Sequence, residues 1–359
     1  MVEIRVAIVG VGNCASALVE GKYYYEDYDA NDDITGVMTE NFQGYEVSDI
    51  NPVCAFDVDD RKTNKDIADA MAVNDYYQFG EIPDEIGCPV YRGPVYDGVA
   101  EHMNDDVDDD TFIVNSDNEA VDITEKLVSH DVDVLVNYLP VGSEKAAESY
   151  AEACLEVGVA MVNAMPVFLA SDPEWNQRFK ERGLPIVGDD IKSQIGATIA
   201  HRTLVTLLKQ RGIDIDNTYQ LNIGGNTDFK NMLDSDRLAS KKISKTDSVN
   251  SQLDERLNDK DIHIGPSDYV PWLNDNKLAF IKINGKNFGG APVTIDLELS
   301  VEDSPNSAGS AVDAIRAAKN GLDTGQSGAL NGISAYTMKH PPVQLTDKEA
   351  KRRALEQTE

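Results

Sequence analysis

The stretch IRVAIVGVGNCASALVEG, residues 4–21, decides how the rest of the chain is read. Its opening IRVAIV is apolar but for Arg5 near its start and has no regular polar face, the mark of a strand buried on both sides in a parallel sheet. Directly after it, Gly10, Gly12 and Ala15 keep the GxGxxA spacing at a strand-to-helix turn. Gly10 permits the tight turn, Gly12 lets the backbone approach an anion, and the small Ala15 lets the helix settle close to the strand. Free N–H groups at the helix start then face a pyrophosphate. The spacing points to a bound dinucleotide; a tight turn without a ligand is the competing reading.

Outward from this motif the pattern repeats. VCAFDV (53–58), DVLVNYL (133–139), VAMVNA (159–164) and LPIVGD (184–189) read as buried strands. Between the later ones, SEKAAESYAEACLEVG (143–158) and SDPEWNQRFKERG (171–183) read as amphipathic helices, the second opening on a Ser171 cap. Strand alternating with helix predicts an α/β fold with a Rossmann-type, doubly wound parallel sheet. Asp57 ends the second strand and is the candidate for the ribose hydroxyls, where its charge favours NAD over NADP. It lies roughly 45 residues beyond Gly12 instead of the usual ~20, so an insertion fills the gap.

After a helix expected at 193–212 the pattern changes. In PVTIDLELSVED (292–303), Val293, Ile295, Leu297, Leu299 and Val301 share one face and Thr294, Asp296, Glu298 and Ser300 the other. A helix expected at 306–321 returns to the first domain, and the charged tail after Leu345 reads as frayed or disordered. The 359 residues suit two domains. Residues 1–200 with 305–359 are expected to form the nucleotide-binding part, and 201–304 an inserted α+β domain.

Sixty-three Asp and Glu face 32 Lys and Arg, giving a net charge of −31. The excess is spread along the chain, from DANDD (29–33) through DDVDDD (105–110), so it is not a tail. Such a surface repels itself at low ionic strength and is screened at ~1 M salt, where the Debye length is ~3 Å. A salt-rich cytoplasm fits it, and nucleic acid is a poor partner. No run reaches the ~18 apolar residues of a membrane span, and the opening strand leaves no room for an export signal, so the expected location is cytoplasmic. Cys14, Cys54, Cys88 and Cys154 form no CxxC pair, and the five histidines have no metal-binding spacing.

In so anionic a chain, SKKISK (240–245) places three lysines within five positions. That stretch belongs to a series: GVGNCAS (10–16), LPVGSE (139–144), NAMPVF (163–168), GDDIKSQIGAT (188–198), NIGGNTDF (222–229), SKKISK and EDSPNSAG (302–309). In this order the motifs resemble those of the inositol-3-phosphate synthases, in the shorter form of archaeal and actinobacterial members, over nearly the whole chain. The resemblance implies an NAD-dependent isomerase that oxidises D-glucose 6-phosphate at C5, closes C6 onto C1 by an aldol step, and reduces the product with the same cofactor to 1L-myo-inositol 1-phosphate. It also implies a homotetramer.

The resemblance places catalytic groups at Lys241, Lys245, Lys277, Lys339, Asp190, Asp228 and Asn222. It places the cofactor on Gly10, Gly12, Asn13, Cys14, Ala15, Asp57, Leu139, Pro140, Ala164, Asp190, Asp303 and Ser304, and substrate contacts on Lys192, Ser193, Lys245 and Lys277. Ammonium groups suit this chemistry, because they bind a phosphate dianion and stabilise developing oxyanions. Crowded cations also lower one another's pKa, which frees one lysine for proton transfer. Lys241 is expected to take the C5 hydroxyl proton. GDDIKSQIGAT departs from the GDDxKSGQT form of eukaryotic relatives, which leaves the phosphate contacts open. A divalent cation, as in metal-dependent aldolases, is neither required nor excluded by the residues.

Blander readings stand beside these. Asp189 and Asp190 suit helix caps, Asn222 a strand-end turn, and Asp303 with Ser304 the cap of the last long helix. The rival functions are a net NAD-dependent sugar-phosphate or amino-acid dehydrogenase, and a non-catalytic NAD-binding protein.

Overall fold

The computed structural model describes residues 3–26, 28, 34–73, 78–103, 111–114, 119–233, 248–252, 256–258 and 260–356. The first half runs β1 (Ile4–Val9), α1 (Asn13–Tyr24), β2 (Ile50–Asp57), α2 (Ile67–Met71), β3 (Val90–Arg92), α3 (Ile123–Ser129), β4 (Val134–Asn137), α4 (Glu144–Val157), β5 (Ala160–Asn163), α5 (Pro173–Arg182) and β6 (Pro185–Val187). The second half runs α6 (Ala197–Gln210), β7 (Asp214–Gly224), α7 (Thr227–Asn231), β8 (Ile262–Tyr269), β9 (Asn276–Lys286), β10 (Pro292–Glu302), α8 (Asp303–Thr324), β11 (Gly328–Ala329), α9 (Asn331–Thr337) and α10 (Asp347–Glu356).

The apolar runs form one seven-stranded sheet in the order β11-β6-β5-β4-β1-β2-β3, parallel throughout. Both faces are dry, as the unbroken apolar runs require. Ile4, Val6 and Ile8 pack with Val312 and Ile315 of α8 and Leu18 of α1, while Ala7 and Val9 pack with Tyr150 and Cys154 of α4 and Phe179 of α5. Chain direction across the sheet reverses between β1 and β4. That switch point opens a crevice at the carboxyl ends of the strands.

The insertion between α1 and β2 is held by a buried ion pair on α8. Arg316 donates to Asp313 Oδ1 at 2.6 Å and to the carbonyls of Thr39 and Glu40 at 2.9 and 2.8 Å, while Asp313 Oδ2 accepts from Met38 N at 2.8 Å. This explains the long gap between Gly12 and Asp57.

The second sheet has the order β10-β9-β7-β8, antiparallel except for the β7–β8 pair. One face carries Ala279, Ile281 and Ile283 of β9 against Val205 and Leu208 of α6, with Ile295 and Leu297 of β10 on the same side. Among the described residues no helix is long and apolar enough to cross a membrane.

Three local expectations need correction. The α5 cap is Asp172, which accepts from Glu174 N and Trp175 N, because Ser171 is engaged by Asp189. The helix expected from 193 starts at Ala197, after an extended Gly196 and a bridge between Ile191 and Met338 that keeps the preceding segment straight. The tail after Leu345 is ordered as α10 through Glu356, which buries Ala350 and Ala354.

Candidate functional site

A single cavity at the switch point is walled by residues of both sheets, including Gly10, Gly12, Asn13, Cys14, Asp57, Lys62, Leu139, Pro140, Ala164, Asp190, Ser193, Asn222, Asp228, Lys277, Asp303, Ser304 and Lys339. On the side of the first sheet, Gly10 has φ +87° and a Cβ there would meet Tyr138 O at 2.8 Å, so both conformation and the exit of β4 demand glycine. At Gly12 a Cβ meets no protein atom within 4 Å. The space beside Gly12 and the α1 N-terminus therefore belongs to whatever fills the cavity, and an anion such as a pyrophosphate fits it.

Asp57 and Lys62 hold the loop between the glycines from its two polar sides. Asp57 Oδ2 accepts from Val11 N at 2.7 Å, its Oδ1 accepts from Val58 N and Asp59 N at 2.7 and 2.9 Å, and Lys62 Nζ donates to Val11 O at 2.7 Å. Lys62 was not anticipated, although a buried cation in DVDDRK (57–62) of so acidic a chain was a visible signal. Ala15 is fully buried beneath the loop, in its helix-packing place.

Opposite the loop stands Lys277 of β9. Its Nζ lies 3.0 Å from Asp303 Oδ1 and 3.2 Å from Oδ2, and 5.8 Å from the centre of the Phe229 ring. Burial pulls its pKa down, but the charge and hydrogen bonds of Asp303, with Asp228 and Cys14 behind, push it further up, and the net is above the ordinary lysine value. Lys277 is thus held as an ammonium. Burial, joined by Asp303 and Asp275, pushes the Cys14 thiol up to about 12, which keeps it protonated.

Asp275, missed in the sequence, is buried just before β9 and accepts Ser304 N at 2.8 Å and Ser304 Oγ at 2.7 Å. Burial first, then Asp303, raise its carboxyl to about 6. Asp303 is the first residue of α8 and not its cap; the cap position is Glu302, which makes no side-chain capping bond.

The third wall is the crossing of residues 188–193 with 337–340. Lys339 N donates to Asp190 O at 2.7 Å, His340 N to Asp189 O at 2.9 Å, and Lys339 Nζ to Asp190 Oδ1 at 2.5 Å. His340 stacks on Phe168 with ring centres 4.1 Å apart, which fixes the segment carrying Lys339. Asp190 sits at φ +62°, a conformation held by this pairing and by Asp190 N donating to Met165 O at 3.0 Å. Neither aspartate caps α6. Asp189 turns inward and accepts from Asn163 Nδ2 at 2.7 Å and Ser171 Oγ at 2.7 Å. Ser193 Oγ reaches Asp303 Oδ1 at 3.5 Å.

Lys192 faces away from these groups. Because residues 191–193 are extended, Ile191 and Ser193 line the cavity and the side chain between them points the other way. Its ammonium, 1% exposed, donates to Ala335 O at 2.7 Å and lies 3.5 Å from Asp347, which Arg202 approaches at 3.4 Å. Burial, then Arg202, pull its pKa down to about 7.

On the inserted sheet, Asn222 donates to Gly265 O at 2.6 Å and accepts from Gln220 at 3.0 Å; His201 lies behind, between Thr218 Oγ1 at 2.7 Å and Gln220 Oε1 at 3.3 Å. Burial pulls His201 down to about 4, so it is a neutral core group. Lys241 and Lys245 lie outside the described residues. Among the described residues no group of three or more His, Cys, Asp or Glu is arranged to hold a metal ion.

Residues 196–304 match the family model for myo-inositol-1-phosphate synthase. The chain is 50% identical to the inositol-3-phosphate synthase of Mycolicibacterium smegmatis, covering 97% of this chain and 96% of the relative. It is 49% identical to that of Corynebacterium glutamicum, covering 98% and 96%. Among solved structures, a myo-inositol-1-phosphate synthase-related protein from Thermotoga maritima superposes with a TM-score of 0.79 at 25% identity, over 98% of this chain and 97% of that one. The inositol-3-phosphate synthase of Caenorhabditis elegans shares the fold, with a TM-score of 0.72 at 16% identity over 99% and 84%.

Proposed function

The chain belongs to the inositol-3-phosphate synthase family, and from that premise we propose that it isomerises D-glucose 6-phosphate to 1L-myo-inositol 1-phosphate with NAD as a recycled cofactor. One observation carries the reading: the cavity that Gly10 and Gly12 open is also walled by Lys277, Lys339, Asp190, Asp228 and Asn222. A dinucleotide site alone serves any dehydrogenase. A dinucleotide site facing two lysines, each paired with a carboxylate, serves a reaction that builds negative charge on sugar oxygens.

In this reading Gly10, Gly12, Asn13 and Cys14 cradle the pyrophosphate, Asp57 receives the adenosine ribose, and Leu139, Pro140, Ala164, Asp303 and Ser304 border the nicotinamide end. When bound there, NAD supplies the hydride acceptor, and later the donor, at C5. Lys277 is kept charged by Asp303 and neutralises the oxygen that becomes anionic. Lys339 and Asp190, in contact through a short hydrogen bond, orient the sugar and carry a proton between them. Asn222 and Ser193 bind hydroxyl or phosphate oxygens. Lys241 takes the C5 hydroxyl proton and Lys245 joins in holding the phosphate, both from a segment outside the described residues.

The same reading assigns residues 1–200 with 305–359 to cofactor binding and 201–304 to catalysis and assembly, with a homotetramer formed through the inserted sheet. It also assigns the acidic surface to a salt-rich cytoplasm. The test is incubation of the full chain with glucose 6-phosphate and NAD in ~2 M KCl, with and without a chelator. We expect a periodate-sensitive cyclitol phosphate without lasting absorbance at 340 nm. Stoichiometric NADH overturns the isomerase in favour of a net dehydrogenase.

A further inference from the structure

Asp275 lies two residues before Lys277 and is 1% exposed. Its Oδ2 accepts from Ser304 N at 2.8 Å, and its Oδ1 accepts from Ser304 Oγ at 2.7 Å and, at longer range, from the side-chain amides of Asn226 at 3.4 Å and Asn13 at 3.5 Å. Its main-chain carbonyl accepts from Asp303 N at 3.1 Å. These donors come from three separate elements. Asn13 opens α1 after the glycine turn, Asn226 is the cap of α7, and Asp303 with Ser304 begins α8.

We propose that Asp275 is a positioning residue that ties the dinucleotide turn, α7 and the head of α8 into one arrangement, so that the Lys277–Asp303 pair keeps a fixed distance from the nicotinamide end of the cofactor. The inference rests on the reading of the cavity given above. Its physical basis is a count of donors. An ionised carboxylate accepts only, with about four lone-pair sites, and here it meets four N–H and O–H donors. It also supplies α8 with the capping bond that Glu302 does not make. Each donor neighbours a cavity residue: Asn13 precedes Cys14, Asn226 stands two before Asp228, and Ser304 follows the Asp303 that holds Lys277 at 3.0 Å.

The test uses the full chain in high salt with Asp275→Asn, Ser304→Ala and the double variant. Asparagine keeps the shape but turns one acceptor into an N–H₂ that faces donors. Amide hydrogen exchange across 303–308 is expected to quicken at least tenfold in Asp275→Asn, and NAD affinity to fall about fivefold. On glucose 6-phosphate, kcat is expected to fall at least tenfold with KM for the sugar changed less than threefold. The double variant is expected to quicken exchange at 303–308 no more than Asp275→Asn alone, since the Ser304 hydroxyl holds that segment through the same carboxylate. Unchanged exchange, a loss confined to KM for the sugar, or exchange effects that multiply overturn the proposal. If the unmodified chain does not turn over glucose 6-phosphate, the functional reading fails separately, and exchange at 303–308 still decides the role of Asp275.

Discussion

Lys277 and Lys192 are both lysines withdrawn from water, and their surroundings drive them in opposite directions. Lys277 shares its pocket with Asp303, Asp228 and Cys14, so that its pKa rises despite burial. Lys192 has Arg202 and Lys339 as neighbours with Asp347 as the opposing carboxylate, and its pKa drops to about 7. Burial, with Arg202 beside it, depresses Lys192, and that lysine points away from the cavity; the crowding expected around Lys241 and Lys245 lies outside the described residues. Two of the described cavity lysines, Lys277 and Lys339, are each matched with a carboxylate. Lys277 is built to stay charged, which suits binding and oxyanion stabilisation better than proton abstraction.

The largest test of this contrast is Lys277→Ala. Removing a preorganised cation from a site where charge develops costs about 10²–10³ in kcat, and a loss of that size is expected with NAD binding retained, read by single-turnover formation of cyclitol phosphate. Activity within a few fold of the unmodified chain would mean that the carboxylate-paired lysine is structural. Next in size is Asp303→Asn. Without that carboxylate, burial dominates at Lys277 and its pKa falls, so the alkaline limb of the kcat/KM profile should move to lower pH while kcat drops about tenfold. An unmoved limb would separate Lys277 from the titration.

How much of this was legible in the sequence follows from how far apart the interacting residues lie along the chain. The parallel sheet was legible because its strands carry unbroken apolar runs, and the glycine turn because its three small residues fall within six positions. The alternation of β10 gave the second sheet one wet and one dry face. Asp275 was illegible, because its partners sit at 13, 226 and 304, brought together only by the junction of two sheets. Lys192, which the resemblance set among the substrate contacts, turns away because its neighbours Ile191 and Ser193 line the cavity while its own ammonium is held by Ala335 O and Asp347. Ser171 lost the capping role to Asp172 because a buried carboxylate, Asp189, claimed its hydroxyl and N–H. The helix after Leu345 was legible as charged but not as packed, since Ala350 and Ala354 are buried by distant parts of the chain, α9 among them.

A smaller effect distinguishes the two lysines through stability. At Lys192 the folded pKa, about 7, lies below the ordinary value of 10.5, so between these pH values the unfolded chain binds more protons and stability rises with pH. Lys192→Met removes that dependence. Relative to the unmodified chain, the variant is expected to be at its most stable near pH 7, with that advantage shrinking as pH rises toward 9.5. Lys277→Met should show the reverse sign, because a raised pKa contributes stability that is present below 10.5 and lost above it. Denaturant unfolding across pH 7–9.5 reads a changing advantage in Lys192→Met and a constant deficit in Lys277→Met. An advantage that grows with pH in Lys192→Met would refute the depressed lysine.

The smallest expected difference is the most discriminating, because salt acts on the two kinds of charge unequally. With a net charge of −31, the surface repels itself, and raising KCl from 0.1 to 2 M shortens the Debye length from ~10 Å to under ~3 Å. The thermal midpoint should therefore rise by several degrees. Lys192 is 1% exposed, so counter-ions do not reach it and the gap between the unmodified chain and Lys192→Met should stay constant within about a degree across the salt series. A gap that closes with KCl would mean that ions penetrate to the Lys192–Arg202–Asp347 cluster. The depressed lysine would then be a surface charge in a crowded field, and the contrast with Lys277 would reduce to exposure alone.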